Sequence, residues 1–378
     1  MDWITQAALG ALIGEWMLGK KLGKQAMGWG ALLGIFPDVD LIVSWPFSTA
    51  FQLALRQSFT HSVWLLPFMA FCMGHGLEKL WLRHGVSRMQ ATGFALVVMA
   101  GHVLLDWATP DGVALLWPFL SDRLSLGLLF RVDLLFTMIL VAAALYLVFL
   151  GFKKTAKPTR KAPSYAPQRR RTCHWGIGLA AGYLSLSLGL QMLATAGFNA
   201  DLRRRAAGHG KIIVAPGRSH LFFWRAVAAR EDEFWVGYRS VFESPSSPVR
   251  WTVYPQNKAV LAMLDDRFEM RTLFRMTGGW WLARANSKGA WLGDLRQPEA
   301  RNWGDKKGMV DSRLACSWLF NAESQSDGLR LMDESSRNSY EMLRRTFSRI
   351  LGNRAEWEAN PRLAGVPGSL PEFLPAEE

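Results

Sequence analysis

Pro37-Asp38-Val39-Asp40, Thr60-His61-Ser62 and His102-Val103-Leu104-Leu105-Asp106 are three polar islands in a stretch, residues 37 to 106, that is otherwise largely apolar. A carboxylate at the centre of a lipid-facing helix costs on the order of 3 kcal/mol by insertion scales. Asp38, Asp40 and Asp106 together therefore represent roughly 9 kcal/mol of penalty. A divalent cation shared among Asp and His side chains offsets that penalty, because it neutralises the carboxylates and takes neutral imidazole as a ligand. The stretch reads as membrane helices assembled around metal ligands, with Asp38, Asp40, His61, His102 and Asp106 as the candidates.

The rest of the chain supports a membrane assignment. Of 378 residues, 50% are hydrophobic and only 20% charged, yet the net charge is +13, so the basic excess is concentrated. Lys153, Lys154, Lys157, Arg160, Lys161, Arg169, Arg170 and Arg171 lie between two long apolar runs, the pattern of a juxtamembrane polybasic loop rather than of a nucleic-acid footprint. The three cysteines, Cys72, Cys173 and Cys316, have neither a disulfide nor a zinc-knuckle spacing. The N-terminus lacks the basic region of a signal peptide, so the first apolar segment is expected to be retained.

Six helical segments are predicted. The first, residues 4 to 19, carries Gly10 and Gly14 at a spacing that favours close helix packing. The second, residues 26 to 47, should kink near Asp38, because Pro37 removes a backbone donor and disfavours helix at Phe36. Residues 61 to 82 and 91 to 108 follow, and on the latter His102 and Asp106 stand at i and i+4, on one face. Residues 109 to 125 read as an interfacial loop, 126 to 152 as the clearest span and 175 to 198 as the sixth segment. With the polybasic loop inside, alternation puts Lys20 to Lys24 and Arg83 to Arg88 inside as well, and brings every polar island to the outer face. Arg203, Arg204 and Arg205 run against this bias.

After residue 200 the composition becomes that of a soluble domain. Runs 221 to 229, 233 to 241, 249 to 254, 280 to 285 and 290 to 295 are aromatic or β-branched and separated by turn residues, which predicts an antiparallel sheet. Residues 338 to 351 read as an amphipathic helix and 361 to 378 as a loose tail. The expected architecture is a multi-span α-helical membrane domain (1–152), a basic cytoplasmic linker (153–172), a further transmembrane helix (173–199) and a periplasmic soluble α+β domain (200–378).

Several candidates have rival readings. Asp38 could cap the helix that restarts after the kink. Glu15 either completes the coordination sphere, acts as general base, or pairs with Lys20 or Lys21. Asp133 is a ligand, a partner that orients a histidine, or half of a pair with Arg131. His75 and His84 lie toward the cytoplasmic end of the third segment, and His174, His209 and His220 fall outside the constellation. There is no GxSxG elbow, P-loop, GxGxxG or HExxH, which removes serine-hydrolase, nucleotide-binding and zincin readings.

Met1-Asp2, Thr5-Gln6, Leu9-Gly10, Gly14-Glu15, Pro37-Asp38-Val39-Asp40, Phe59-Thr60-His61-Ser62, His102, Leu105-Asp106, Thr109, Gly112 and Leu116-Trp117-Pro118-Phe119, in that order, resemble the YdjM-type family of bacterial inner-membrane, metal-dependent hydrolases. The resemblance covers residues 1 to about 150. Residues 222 to 296, with Trp224-Arg225, Tyr238, Tyr254-Pro255 and Asp294-Leu295-Arg296, look like the extra C-terminal domain of longer members. Two departures stand out. Arg56, Gln57 and Ser58 occupy the positions of a frequent His-Arg-Gly run, and Gln6 stands where many members have His, although a Gln subgroup pairs it with Gly-Glu like Gly14-Glu15. If the replaced groups bind metal or phosphate in relatives, the resemblance implies fewer ions or altered activity here.

The expected function is a membrane-bound, metal-dependent hydrolase of the bacterial inner membrane, acting on a lipid-linked phosphoester at the outer face. Zinc is the first choice of ion, with manganese and iron next. Glu15 or Asp133 would take the proton, Arg56, Thr109 and Arg123 would meet substrate, and the apolar loop around Trp117 would admit a lipid tail. The alternatives are an ion- or proton-coupled transporter and a non-catalytic scaffold.

Overall fold

A computed structural model describes residues 1–152, 166–205, 208, 210–217, 221–244, 246–256, 258, 267–286, 289–300, 313–314, 316–321, 329–333 and 339–358. Most of the basic linker, His209, His220 and the predicted tail lie outside the described residues. The chain forms two compact units, Met1–Pro46 with Leu55–Leu186, and Phe47–Ala54 with Ser187–Glu378.

The first unit is helical. Helix α1 (Trp3–Leu22) starts at Asp2, whose carboxylate accepts from the Thr5 N–H at 2.9 Å. Helix α2 (Gln25–Ile35) returns along it with glycine against glycine. A Cβ placed on Gly10 would meet the Gly30 carbonyl oxygen at 2.1 Å, and one on Gly14 would meet the Ala26 carbonyl oxygen at 2.2 Å. The GxxxG spacing of α1 is thus packing, as read, and its consequence is a backbone-to-backbone approach that no side chain permits.

At Pro37 the second segment breaks as expected. A 3-10 turn (Phe36–Asp38) separates α2 from a short α3 (Val39–Ser44). Helix α4 (Thr49–Leu55) and a second 3-10 turn (Phe59–His61) precede α5 (Leu65–Trp81). Helix α6 (Arg88–Trp107) opens with a reciprocal capping box between Ser87 and Gln90. Helices α7 (Leu134–Phe152) and α8 (Ala166–Arg204) complete the series, α8 running about two turns past the predicted sixth segment at each end. The fifth segment starts later than predicted, because Asp133 accepts from the Phe136 N–H at 3.1 Å and so caps α7, leaving residues 126 to 132 in the preceding loop.

Among the described residues four stretches are long and apolar enough to cross a membrane: Gln25–Ser44, Arg88–Trp107, Leu134–Gly151 and Pro167–Arg204. Helix α7 buries Phe136, Leu140 and Leu147 on one stripe and exposes Leu135, Met138, Leu145, Val148 and Phe149, the distribution of a helix whose other faces meet lipid.

The second unit is α+β, and its described residues form two four-stranded antiparallel sheets and a two-stranded one where a single sheet is predicted. Strands β1 (Ile212–Pro216), β2 (Phe223–Ala229), β3 (Glu233–Ser240) and β4 (Trp251–Pro255) form a meander. Strands β5 (Trp281–Asn286), β6 (Gly289–Asp294), β9 (Cys316–Asn321) and β10 (Leu329–Asp333) form the other sheet in the order β10-β9-β6-β5, while β7 (Glu299–Ala300) pairs with β8 (Arg313–Leu314). Helix α9 (Phe268–Thr277) buries Met270, Leu273 and Met276 with Trp281, Leu292 and Trp318. Ala50 of α4 joins this same core, and for that reason residues 47 to 54 belong to the second unit. Helices α10 (Ser339–Ile350) and α11 (Arg354–Glu358) close the unit, with Arg349 of α10 bound to Glu243 at 2.5 Å. Buried Arg225 of β2 bonds to Glu299 at 3.1 Å. Both pairs keep a buried guanidinium compensated.

Candidate metal centre

The kink at Pro37, the 3-10 turn ending at His61 and the last turn of α6 converge on one point of the first unit. Asp38, His61, His102 and Asp106 each present a ligand atom there, all four within 4.8 Å of one another. Asp38 occupies the N-cap position of α3, but its side chain makes no capping hydrogen bond and faces the Nε2 of His102 at 3.7 Å instead.

The hydrogen bonds behind the two imidazoles decide which nitrogens face inward. His102 Nδ1 lies 2.6 Å from the Gly34 carbonyl oxygen, which only accepts, so Nδ1 carries the proton and Nε2 presents a lone pair. His61 Nδ1 lies 2.9 Å from the Thr60 hydroxyl, and that hydroxyl donates to Asp40 Oδ2 at 3.2 Å. Thr60 therefore accepts from His61 Nδ1–H, and Nε2 of His61 is a second bare lone pair. The two Nε2 atoms stand 3.2 Å apart, with Asp106 Oδ2 at 3.4 Å from one and 3.7 Å from the other. In this tautomer pair two lone pairs and a carboxylate face one another, an arrangement that a cation between them would relieve. Ligand atoms around a tetrahedral ion with bonds of 2.0–2.1 Å are about 3.3 Å apart, close to the 3.2 and 3.4 Å that separate His61 Nε2 from His102 Nε2 and Asp106 Oδ2, with Asp38 further out at 3.7 Å from His102. The buried acceptor Asp40 Oδ1, which has no hydrogen-bond partner, adds to the unbalanced negative character of the site.

Asp40 itself stands behind His61, its Oδ2 3.7 Å from Nδ1 and held by the Gln57 N–H at 2.6 Å. The Thr60 hydroxyl links the two, a bridged form of the carboxylate-histidine arrangement that orients a metal-bound imidazole. Asp106 is held on both oxygens. Oδ1 accepts from Gln6 Nε2 at 2.9 Å and from the Met1 amino group at 2.5 Å, and Oδ2 accepts from Gln57 Nε2 at 2.9 Å.

The helical domain with these residues in place is also what the family comparison detects. A family model described as YdjM inner membrane protein matches residues 1–195, just over half of the 378-residue chain. The chain belongs to the YdjM family. Neither a curated protein nor a solved structure matches it. All four clustered residues lie within the YdjM match, and most of the second unit lies beyond it.

The other candidates in the YdjM region are placed as follows. Glu15 forms a two-pronged pair with Arg169 of α8, at 2.6 and 2.7 Å, rather than with Lys20 or Lys21. Asp133 caps α7 and accepts from the Tyr183 hydroxyl at 2.8 Å, while Arg131 turns to Asp111 at 2.8 Å. Thr109 donates to the Asp106 carbonyl oxygen at 2.8 Å and so finishes α6. Arg123 reaches the Arg56 carbonyl oxygen at 2.8 Å, and its Nη1 lies 3.4 Å from Gln57 Oε1, which puts both arginines beside the cluster's rim without ligating it. His75 sits on α5 outside the cluster.

The 109–133 loop straps the His61 island in place. The Val63 N–H donates to Leu115 O at 2.9 Å, Ala114 N–H to Gln57 O at 3.0 Å, and Ser62 Oγ to Trp117 O at 2.5 Å. Gln57 is the residue that residue-by-residue reading left out of the site. It holds a left-handed φ of +54°, which costs a non-glycine residue about 1–3 kcal/mol and persists where the surroundings over-determine it. Sequence marks Gln6 and Gln57 only as departures from the family pattern, and Gln57, between Arg56 and Ser58, carries no further signal.

Proposed function

We propose that this YdjM protein is a membrane-embedded, metal-dependent hydrolase acting on a lipid-linked phosphoester at the outer face of the inner membrane. The observation that carries the reading is the pair of Nε2 atoms facing each other at 3.2 Å beside Asp106, a set of ligand atoms that one cation would hold together. Two imidazoles and two carboxylates suit zinc first, then manganese or iron. A bound divalent ion supplies Lewis-acid polarisation of a phosphoryl oxygen and lowers the pKa of water to about 7. Asp40 keeps the His61 ring in register, and Gly34 does the same for His102.

Asp38 is the one member of the cluster with a partly exposed side chain, at 12% against 0–2% for the others, so substrate approaches over it. The Asp38 oxygen not given to the ion is then the acceptor best placed to take a proton from attacking water, with Glu15 and Asp133 tying helices together instead. Arg56 and Arg123 supply positive charge for a phosphate at the rim. Trp45, Trp64 and Phe119 are 78%, 59% and 76% exposed, lie close in sequence to the ligands or on the strapping loop, and present apolar surface on which an acyl or prenyl tail can lie. Lys20, Lys21, Lys24, Arg83 and Arg88 mark the cytoplasmic side by the positive-inside bias, which supports a site and a C-terminal unit on the periplasmic side. A cysteine introduced at Ser121 in a background lacking Cys72, Cys173 and Cys316 is expected to react with an impermeant thiol reagent added from outside.

The direct test uses the full-length protein in lipid nanodiscs, with phosphate or headgroup release from lipid phosphomonoesters and phosphodiesters as the readout. Release is expected to be abolished by chelation and restored by zinc. A protein without stoichiometric transition metal, whose melting is unchanged by chelator, would instead favour a transporter whose intramembrane Asp and His groups relay charge.

A further inference from the structure

We infer that Gln6 and Gln57 are positioning residues that make Asp106 a one-oxygen ligand and restrict the centre to a single divalent ion. The inference rests on the metal reading of the cluster but assigns roles that this reading does not need.

Three donors converge on the Asp106 carboxylate. Gln6 is 1% exposed, and its amide nitrogen serves Asp106 Oδ1 at 2.9 Å and the His102 carbonyl oxygen at 3.2 Å. Both partners only accept, so the amide is oriented with its NH2 toward α6, and its Oε1 is left buried with no hydrogen-bond partner. Gln57 is 6% exposed. Its Oε1 faces Arg123 Nη1 at 3.4 Å, which turns its NH2 onto Asp106 Oδ2 at 2.9 Å. The Met1 amino group is the third donor, on Oδ1.

The consequence follows from the geometry of a carboxylate. To bridge two ions, Asp106 would have to offer a free lone pair on each oxygen in a common direction. Oδ1 is instead covered by N–H donors, which cannot ligate, while Oδ2 faces the His pair with one lone pair taken by Gln57. Asp40, the carboxylate behind His61, has its Oδ2 engaged by the Gln57 N–H and Thr60 and keeps one unpartnered oxygen, Oδ1, too little by itself for a second ion. Among the described residues the cluster offers one set of four donors and no second set. Gln57 also grips both carboxylates that frame His61, Asp40 through its backbone and Asp106 through its side chain, so one residue sets the distance between the histidine's support and its neighbouring ligand.

The experiment is zinc titration of the full-length protein in detergent, by calorimetry and elemental analysis, with Gln6→Leu and Gln57→Leu beside the wild type. One zinc per chain is expected, with each variant 10- to 100-fold weaker, the range seen when an outer partner of a ligand is removed. Cobalt substitution supplies a readout that a merely structural role would not move: the visible ligand-field bands should change in energy or intensity in both variants. Melting in chelator reports the fold separately. Two zinc ions per chain in the wild type would overturn the inference, as would variants with wild-type zinc affinity and cobalt spectrum. Should the wild type bind no zinc or cobalt at all, the metal reading itself falls, an outcome distinct from the other two.

Discussion

Purified His102→Ala is expected to lose its transition metal, with zinc affinity at least about 100-fold below wild type, while His75→Ala keeps a full complement. The lower bound comes from the 10- to 100-fold usually lost with an outer-shell partner, since His102 is itself a ligand. Two features make His102 the decisive position. Its Nε2 is within 3.7 Å of three other donors, those of His61, Asp38 and Asp106, so no other single side chain links as much of the cluster. Its Nδ1 is locked to the Gly34 carbonyl oxygen at 2.6 Å, so the ring arrives pre-oriented and little entropy is lost on binding.

Stability should report the same event. An ion at 100 times its dissociation constant stabilises the folded state by about 2.7 kcal/mol, so chelation lowers the melting temperature of the wild type and of His75→Ala. In His102→Ala the chelator should change nothing, because no ion is there to remove. Metal content and a chelator-dependent melting shift that persist in His102→Ala would move the centre elsewhere and break the link between this cluster and the proposed chemistry.

Which parts of this arrangement can be read from sequence follows from the range of the interactions involved. Pro37 announces its own break, since the missing N–H and the ring clash act within one turn. His102 and Asp106 share a face by helix periodicity alone. Local rules likewise place β2 through β6 near the predicted runs, because alternating apolar residues and turn residues are contiguous. By contrast, Glu15 finds Arg169 across 154 positions, and nothing near Glu15 points to it in preference to Lys20. Asp133 looks like a site carboxylate until Tyr183, 50 residues on, and the Phe136 N–H absorb it. Ala50 falls inside the predicted membrane domain (1–152), between its second and third segments, yet it packs with Met270 and Trp281 in the core of the second unit. Gln57 is the most instructive case. Its value to the site lies in a left-handed backbone and four partners from three different parts of the chain, none of which has a sequence signature.

The glycine seam between α1 and α2 carries the second large expected effect. Gly30→Leu should prevent the helical domain from accumulating in folded form, and Gly30→Ala should lower its melting temperature and weaken zinc binding together. The Cβ of any residue at position 30 would sit 2.1 Å from the Gly10 carbonyl oxygen and 3.1 Å from the Gly14 Cα. Since both obstacles are backbone, no rotamer change relieves the clash, and the helices must part by roughly 1 Å to reach van der Waals contact. Overpacking in a well-packed interior costs about 1–3 kcal/mol, occasionally more, and a rigid backbone obstacle belongs at the upper end. The damage reaches the metal centre through the same seam. One turn further along, Gly34 lies against Gln6, where an added Cβ would come within 2.6 Å of the Gln6 carbonyl oxygen. Gly34 supplies the carbonyl that orients His102, and Gln6 holds Asp106. Prying α2 from α1 therefore displaces the support of two ligands at once. Gly28 is the matched control on the same helix, because a Cβ there meets nothing within 4 Å. Gly28→Ala should be neutral or slightly stabilising, as alanine is the better helix former. Gly30→Ala melting and binding zinc like Gly28→Ala would show that the seam neither holds the helices nor sets the site.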